Sequence, residues 1–251
     1  MRDKKTAIVR IVGVSAFWVG LWWLAAALVQ QEILIPTPLV VFKTIMRLLP
    51  DPVFWQSVAF SLIRICIGFL AALTLGTVLA VLTHRSPLIR TLFSPLLHII
   101  RAAPVASFII LALVWIDYDI IPAFIAFLMV LPIVWINIEE GIRQTDRQLL
   151  EMATLYRVPK RRIFSRLYLP AVKPFFLTAC LNGLSFAWKS GVAAEVICRP
   201  EFAIGSRLQA AKLLLETPEV FAWTAVVILL SLLLEKMLVR LTSNTKRRLP
   251  K

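Results

Sequence analysis

Hydrophobic and polar positions fall into long alternating blocks along this chain. Apolar runs of about 20 residues, each enough to cross roughly 30 Å of hydrocarbon as a helix, recur at 8–29, 57–82, 92–115, 120–138, 174–197 and 221–241. The interval 139–174 is long, polar and dense in Arg and Lys. This pattern predicts an all-α membrane protein with six transmembrane helices and a polar hairpin between helices 4 and 5. The first run follows a basic start and ends in Ala25-Ala26-Ala27, which mimics a signal peptide. Its length and the membrane that follows predict an uncleaved first helix. Pro36-Thr37-Pro38 breaks the chain after it, because each proline lacks an amide donor and restrains the residue before it. Residues 39–49 then read as a short amphipathic segment along the outer surface, ended by Asp51-Pro52. Pro95 and Pro104 in the third run, and Pro122 and Pro132 in the fourth, predict helices packed inside a bundle, where neighbours satisfy the freed carbonyls. An outer loop is expected at 198–220.

Within the polar interval, Thr145 and Gln148 form a capping-box pattern. The helix they open carries Leu149, Met152, Ala153 and Tyr156 on one face. Val158-Pro159 stops it, and Pro159 can begin a second short helix as its first residue. There Ile163, Phe164 and Leu167 make the apolar face, and Lys160, Arg161, Arg162 and Arg166 the basic one. Pro170 and Pro174 are expected to restart the chain toward the membrane. Such a pair of amphipathic helices at the inner surface either lies on anionic lipid or meets a cytoplasmic partner.

Composition agrees with the pattern. Hydrophobic residues make up 59% and charged residues 17%, beyond the roughly half-apolar, quarter-charged mix of soluble domains. The formal charge of +14 would suggest nucleic acid in a soluble protein. Here Lys and Arg concentrate at the N-terminus (Arg2, Lys4, Lys5, Arg10), at 85–90, at 139–174 and in the tail (Lys246, Arg247, Arg248). With six spans these regions share one side, as the positive-inside rule requires. Both termini are then cytoplasmic, and no nucleic-acid partner is implied. The cysteines Cys66, Cys180 and Cys198 are scattered and read as small packing residues. His84 and His98 are isolated and give no metal site.

Charged residues within the runs carry the remaining chemistry, because intramembrane charge is costly and usually faces a cavity or a partner. Arg64 lies near the outer end of its run and can snorkel to the headgroups. Arg101 either lines an anion path, fixes the helix around Pro104, or is a positive charge at the inner interface. Lys189, near the middle of its run, points to a pathway or partner role. Glu195 is a surface or gate residue or a plain interfacial charge. Lys189 and Glu195 do not share a helical face and are not paired.

The chain has no G-x-x-x-x-G-K-[ST] loop to cradle phosphates, so it is not itself an ATPase. A membrane enzyme would need convergent His, carboxylate or Cys groups, which the sequence lacks. A secondary transporter or channel remains an alternative, although no inverted repeat is evident.

The hairpin resembles the EAA loop of permease subunits in bacterial ATP-binding-cassette importers: Glu-Ala-Ala, a glycine shortly after, then Ile-x-Leu-Pro. Glu151, Ala153, Leu167, Leu169 and Pro170 occupy the matching places, with Met152 for the middle Ala and Leu167 for Ile. Arg157 stands where the family usually has Gly. Ile35-Pro36-Thr37-Pro38, Ser61-Leu62-x-Arg64 leading to Gly68-Phe69, Arg101-x-x-Pro104, Ala187-Trp188, Ala194-Glu195 and Ile204-Gly205 are similar to permeases for nitrate, sulfonate, taurine and related small anions. Two departures are Ile116-Asp117, in place of Phe-Gly after Trp115, and Ala203, in place of the first Gly of a Gly-Leu-Gly turn.

The resemblance implies an N-terminal helix and outer loop over 1–52, a permease core over 53–241 and a basic tail over 242–251. It implies a coupling loop in which Glu151, Ala153, Arg157, Leu167, Leu169 and Pro170 dock on ATPase subunits, and a translocation pathway near Arg101, Pro104, Trp188, Lys189 and Glu195. Further implied partners are an extracytoplasmic solute-binding protein, a second permease copy or close paralogue, and membrane lipid. No cofactor is expected on this chain; ATP and Mg would sit on the partner ATPase. The expected location is the bacterial inner membrane. The expected cargo is a small anion such as a sulfonate or nitrate-like compound, with a vitamin precursor or aromatic compound as the alternative.

Overall fold

Capping side chains and prolines set most of the helix ends. The structure is a computed structural model that describes residues 2–246, with side chains over 13–240. The basic side chains expected at the N-terminus and in the 242–251 tail lie outside the described residues. The chain forms α1 (Arg2–Val29), α2 (Pro38–Leu48), α3 (Pro52–Arg85), α4 (Pro87–Ala102), α5 (Val105–Ala112), α6 (Ile121–Arg143), α7 (Arg147–Leu155) and α8 (Lys160–Ile163). A π-helical turn (Phe164–Tyr168) leads into α9 (Leu169–Cys198), followed by α10 (Ile204–Leu213) and α11 (Thr217–Lys246). Among the described residues all regular structure is helical.

Thr37 caps α2 by accepting from the Val40 N–H, and Asp51 caps α3 by accepting from the Val53 N–H at 2.9 Å. In both helices proline follows the cap, where its fixed φ suits the first turn and its missing N–H would have had no helical partner. The expected outer segment is therefore α2. It lays Val41, Thr44 and Leu48 inward and packs on α11.

The centre of the bundle is α6, which packs on α3 on one side and α9 on the other. Close approach is what makes this possible. A Cβ on Gly68 would strike the Ala123 carbonyl, so the small residue lets the α3 and α6 backbones meet, as small residues do between membrane helices. Trp135 of α6 donates its indole N–H to Thr83 Oγ1 of α3 at 3.0 Å. Trp188 of α9 donates to the Val227 carbonyl of α11 at 3.0 Å. Each indole thus gains a partner where water is absent, removing the penalty of an unpaired polar group in hydrocarbon.

Four helical stretches are long and apolar enough to span a membrane: Pro52–Arg85, Ile121–Arg143, Lys160–Cys198 and Thr217–Arg240. The α4–α5 pair makes a fifth if it is taken as one span. The expected first span is helical through Val29, but the side chains of its first turns lie outside the described residues. The third expected run, 92–115, is corrected: α4 and α5 meet at 105°. The cause is Pro104, which holds Ala103 extended at φ −81°, ψ 141°, the conformation that a following proline favours.

A second correction concerns 198–220. This segment is not a plain loop, because α10 folds back against both α9 and α11. A third concerns Pro170 and Pro174. They do not restart the chain; helix runs without a break from Lys160 to Cys198. The Leu169 N–H reaches back to the Phe164 carbonyl, an i→i−5 bond. This widened turn lies just ahead of Pro170, whose ring would otherwise press on the Arg166 carbonyl.

Candidate functional site

The polar hairpin is α7 and α8 with the turn between them. Its N-cap is Asp146, which accepts from the Gln148 and Leu149 N–H groups at 2.8 and 3.3 Å. The expected cap Thr145 is one residue out of register; its hydroxyl is buried and makes no hydrogen bond among the described residues. An aspartate in the next position is the stronger cap because its charge also favours the helix N-terminus.

The end of α7 is decided at Arg157. Its N–H donates to the Thr154 carbonyl at 3.0 Å, and the Val158 N–H donates to the Ala153 carbonyl at 2.9 Å. These paired bonds are the Schellman closure of a helix, which requires a left-handed residue. Arg157 supplies it at φ 51°. The turn that glycine would make is therefore kept by arginine. Val158 and Ala153 then meet beneath the turn, and Pro159 starts α8 from the N-cap position.

Between α7 and the π-helical turn lies a groove of about 300 Å³, lined by apolar groups including Leu149, Met152, Ile163 and Leu167. Of the expected docking residues, Ala153 is buried and Leu167 half-buried, holding the hairpin together. Glu151, Arg157, Leu169 and Pro170 are exposed. Met152, Leu155 and Tyr156 are also exposed, Leu155 at 79% and Tyr156 at 74%. An apolar surface this open, beside Arg147, Lys160, Arg161 and Arg162 that make no ion pair among the described residues, is incompletely covered by the described part of its own chain.

The expected pathway residues separate into two groups. Arg101, Pro104 and Lys189 are exposed. Arg101 sits in the last turn of α4, where a cation complements the helix dipole. Lys189 falls on one stripe of α9 with Thr178, Asn182, Phe186 and Ala193, all exposed. Trp188 and Glu195 do not share that face. Trp188 is 1% exposed and ties α9 to α11.

Glu195 is fully buried under α10. Its Oε2 accepts from Ser61 Oγ at 2.8 Å and from the Gly205 N–H at 3.1 Å, while Ser61 Oγ accepts from the Ile204 N–H at 2.9 Å. The side chain thus caps α10 from a neighbouring helix. A Cβ on Gly205 would lie 2.5 Å from both Glu195 Cβ and the Val196 nitrogen, so glycine permits this approach. Ala203, by contrast, is extended at φ −131°, ψ 146° and needs no glycine.

Arg64 is a second tie that sequence alone misplaced. It does not snorkel to headgroups. Its Nη2 pairs with Asp119 at 2.8 Å and donates to the Glu201 carbonyl at 2.9 Å; Nη1 donates to the Phe202 carbonyl at 3.3 Å. Ser61 and Arg64 together pin the segment entering α10 onto α3. Ser61 is the residue that sequence reasoning quoted only as part of a motif. Its hydroxyl, three positions before an arginine on an apolar helix, was the available signal.

Residues 65–247 match the family described as the inner membrane component of binding-protein-dependent transport systems. The chain belongs to this family. It is 25% identical over 231 residues to the taurine transport system permease protein of Escherichia coli K12, covering 89% of this chain and 84% of that one. It is 29% identical over 161 residues to the formylaminopyrimidine transport permease protein of Halalkalibacterium halodurans, covering 63% of each. A crystal structure of an amino acid ABC transporter with histidines shares the fold, with a TM-score of 0.63, 17% identity, and coverage of 79% of this chain and 94% of that one. The protein is thus a multi-pass inner-membrane permease of an ABC importer, a non-catalytic subunit of a system that also comprises an ATPase and a solute-binding protein.

Proposed function

We propose that this permease couples to its ATPase through the α7–α8 hairpin and moves a small anion along a pathway bordered by the Lys189 face of α9. The observation that carries the coupling role is the hairpin surface. Glu151, Met152, Leu155 and Tyr156 stand exposed on α7, held by a Schellman turn in the register of the Glu-x-Ala and Leu-x-Leu-Pro pattern. The basic face supports the same reading and favours a cytoplasmic side for the hairpin and both termini. ATP and Mg belong to the partner; this chain holds no cofactor. The division into 1–52, a 53–241 core and the 242–251 tail follows the same reading.

The anion reading rests on Lys189. A lysine near the middle of a membrane helix is costly unless it meets a cavity or counter-charge, and Thr178 and Asn182 extend the same stripe with hydrogen-bonding groups. A second copy or close paralogue facing that stripe would enclose it, with lipid around the assembly. The taurine relative favours a sulfonate-like cargo. The formylaminopyrimidine relative favours a second reading, a heterocyclic vitamin precursor, for which the stripe's amide and hydroxyl groups would matter more than the cation.

One reconstitution tests both halves. Full-length permease is co-expressed with its ATPase and binding protein, then assayed for retained ATPase and ATP-driven uptake. Glu151→Lys with Tyr156→Glu loses the ATPase at least tenfold; unchanged retention overturns the coupling role. Lys189→Gln keeps the ATPase and lowers uptake at least tenfold, with rescue by Lys189→Arg. Uptake indifferent to Lys189→Gln overturns the anion reading.

A further inference from the structure

A cavity larger than the hairpin groove borders the chain as it leaves the hairpin, where Phe164, Tyr168 and Leu169 line it. A cleft of about 640 Å³ opens between the inner ends of α3, α6 and α9, within the range of about 300–1,000 Å³ typical of ligand pockets. Its floor is apolar, made by Val81, Ile138, Val172 and Phe176, and its rim carries His84, Arg85 and Lys173. No carboxylate lines it. The nearby acids of α6 are already engaged: Glu139 pairs with Arg90 at 3.2 Å, and Glu140 with Arg143 at 3.8 Å and Gln144 at 2.8 Å. Arg85 and Lys173 make no ion pair or hydrogen bond among the described residues. Lys173 is nevertheless half-buried.

Polarity along the α3 wall of this cleft changes with depth. On α3 it runs from Thr77 to Arg85, about 12 Å at the 1.5 Å rise of a helix. On α3 the cation lies at the helix end and Val81 deeper; on the other wall Lys173 lies between Leu169 and Phe176, its stem able to carry its ammonium toward the surface. A headgroup phosphate at the rim and an acyl chain on the floor match this order. A free anion would leave the floor uncovered, and an apolar helix would leave the cations unpaired.

We propose that the cleft binds one anionic phospholipid of the inner leaflet, with its phosphate at Arg85 and Lys173 and its acyl chain against Val81 and Phe176. The proposal rests on the sidedness given under the proposed function, but its test does not depend on ATPase coupling. Full-length permease in detergent is titrated with phosphatidylglycerol and with phosphatidylcholine of the same chains, and bound lipid is counted by native mass spectrometry. One phosphatidylglycerol per chain is expected, retained at least fivefold over phosphatidylcholine. Arg85→Gln with Lys173→Gln removes that preference, and Val81→Trp, which fills the floor, lowers binding of both lipids. Should the double variant not accumulate, Arg85→Gln alone, at an exposed last-turn position, reads the same loss of preference. Equal retention of the two lipids overturns the proposal, as does phosphatidylglycerol binding unchanged in the Gln variants. Displacement of the lipid by millimolar inorganic phosphate marks a bare anion site and also overturns it. A Phe176→Cys chain that crosslinks to a second copy shows the cleft covered by protein, with the same consequence. ATPase retention stays at the wild-type level in Arg85→Gln, which separates failure here from failure of the coupling role.

Discussion

At the residue scale, Arg157 concentrates the tension between local preference and local need. A non-glycine residue in the left-handed region costs about 1 kcal/mol, yet the Schellman bonds to Ala153 and Thr154 are intact. The hairpin therefore holds this conformation against the arginine's own preference. Arg157→Gly is expected to stabilise the turn by about 1 kcal/mol, slowing hydrogen exchange at the Val158 amide by about fivefold. Arg157→Val should act in the opposite direction, since a branched side chain suits positive φ least. Faster exchange in the glycine variant would show that the arginine side chain makes a stabilising contact stronger than the backbone cost. The position was legible in sequence as an exception to a family pattern. Its conformation was not, because arginine gives no turn signal, whereas the glycine it replaces would have announced the turn. The N-cap shows the limit of spacing rules in a different way. Thr145 and Gln148 fit a capping box, but Asp146 lies one residue on and offers a charged acceptor to the same N–H groups.

At the element scale, α10 exists where an outer loop was expected, and the reason lies outside its own sequence. Its N-terminal N–H groups are satisfied by Ser61 of α3 and Glu195 of α9; Ser61 is 143 positions before Ile204. No window of the chain shows such a contact. The broken pair α4–α5 was half legible: Pro104 announced a break, while the 105° angle depends on α5 packing against α6 and α9. The clasp at α10 gives a sharp expectation. In Gly205→Ala the new methyl has nowhere to go, because the nearest atoms include α9 backbone at 2.5 Å. Backbone cannot swing aside as a side chain can, so the cost falls near the upper end of the roughly 1–3 kcal/mol typical of overpacking. The melting temperature of the purified chain should drop, and α10 should become the first site cut by added protease. A variant as stable as wild type would mean that α10 does not sit this tightly on Glu195.

At the scale of the whole molecule, long apolar runs made the helical class and most spans readable, because hydropathy over about 20 residues measures the very property that burial in lipid selects. The count is subtler. Whether the chain crosses the membrane between α3 and α6 depends on a helix pair bent at Pro104, and length alone does not decide between a bent crossing and a re-entrant hairpin. Charge does bear on it. Arg85 and Arg90 stand before the bend, whereas the turn at 113–120 after it carries no Lys or Arg, an asymmetry that under the positive-inside rule favours opposite faces. Arg64 supports the same arrangement, because its bond to Asp119 also joins it to the Glu201 and Phe202 carbonyls at the α9–α10 end of the bundle, away from the basic hairpin. Single cysteines placed at Ser86, Tyr118 and Arg161 of a cysteine-free chain should therefore label asymmetrically with a membrane-impermeant maleimide. Tyr118→Cys reacts in intact cells, whereas Ser86→Cys and Arg161→Cys react only in inverted vesicles. Labelling of positions 86 and 118 from the same side would make α4–α5 a re-entrant pair and reverse the sidedness of everything on one side of it. The hairpin would then lie on the face opposite Ser86 and the α10 clasp on the face of Ser86, because the Lys160–Cys198 span still separates them, a geometry that sets the hairpin on the far side of the membrane from the ATPase.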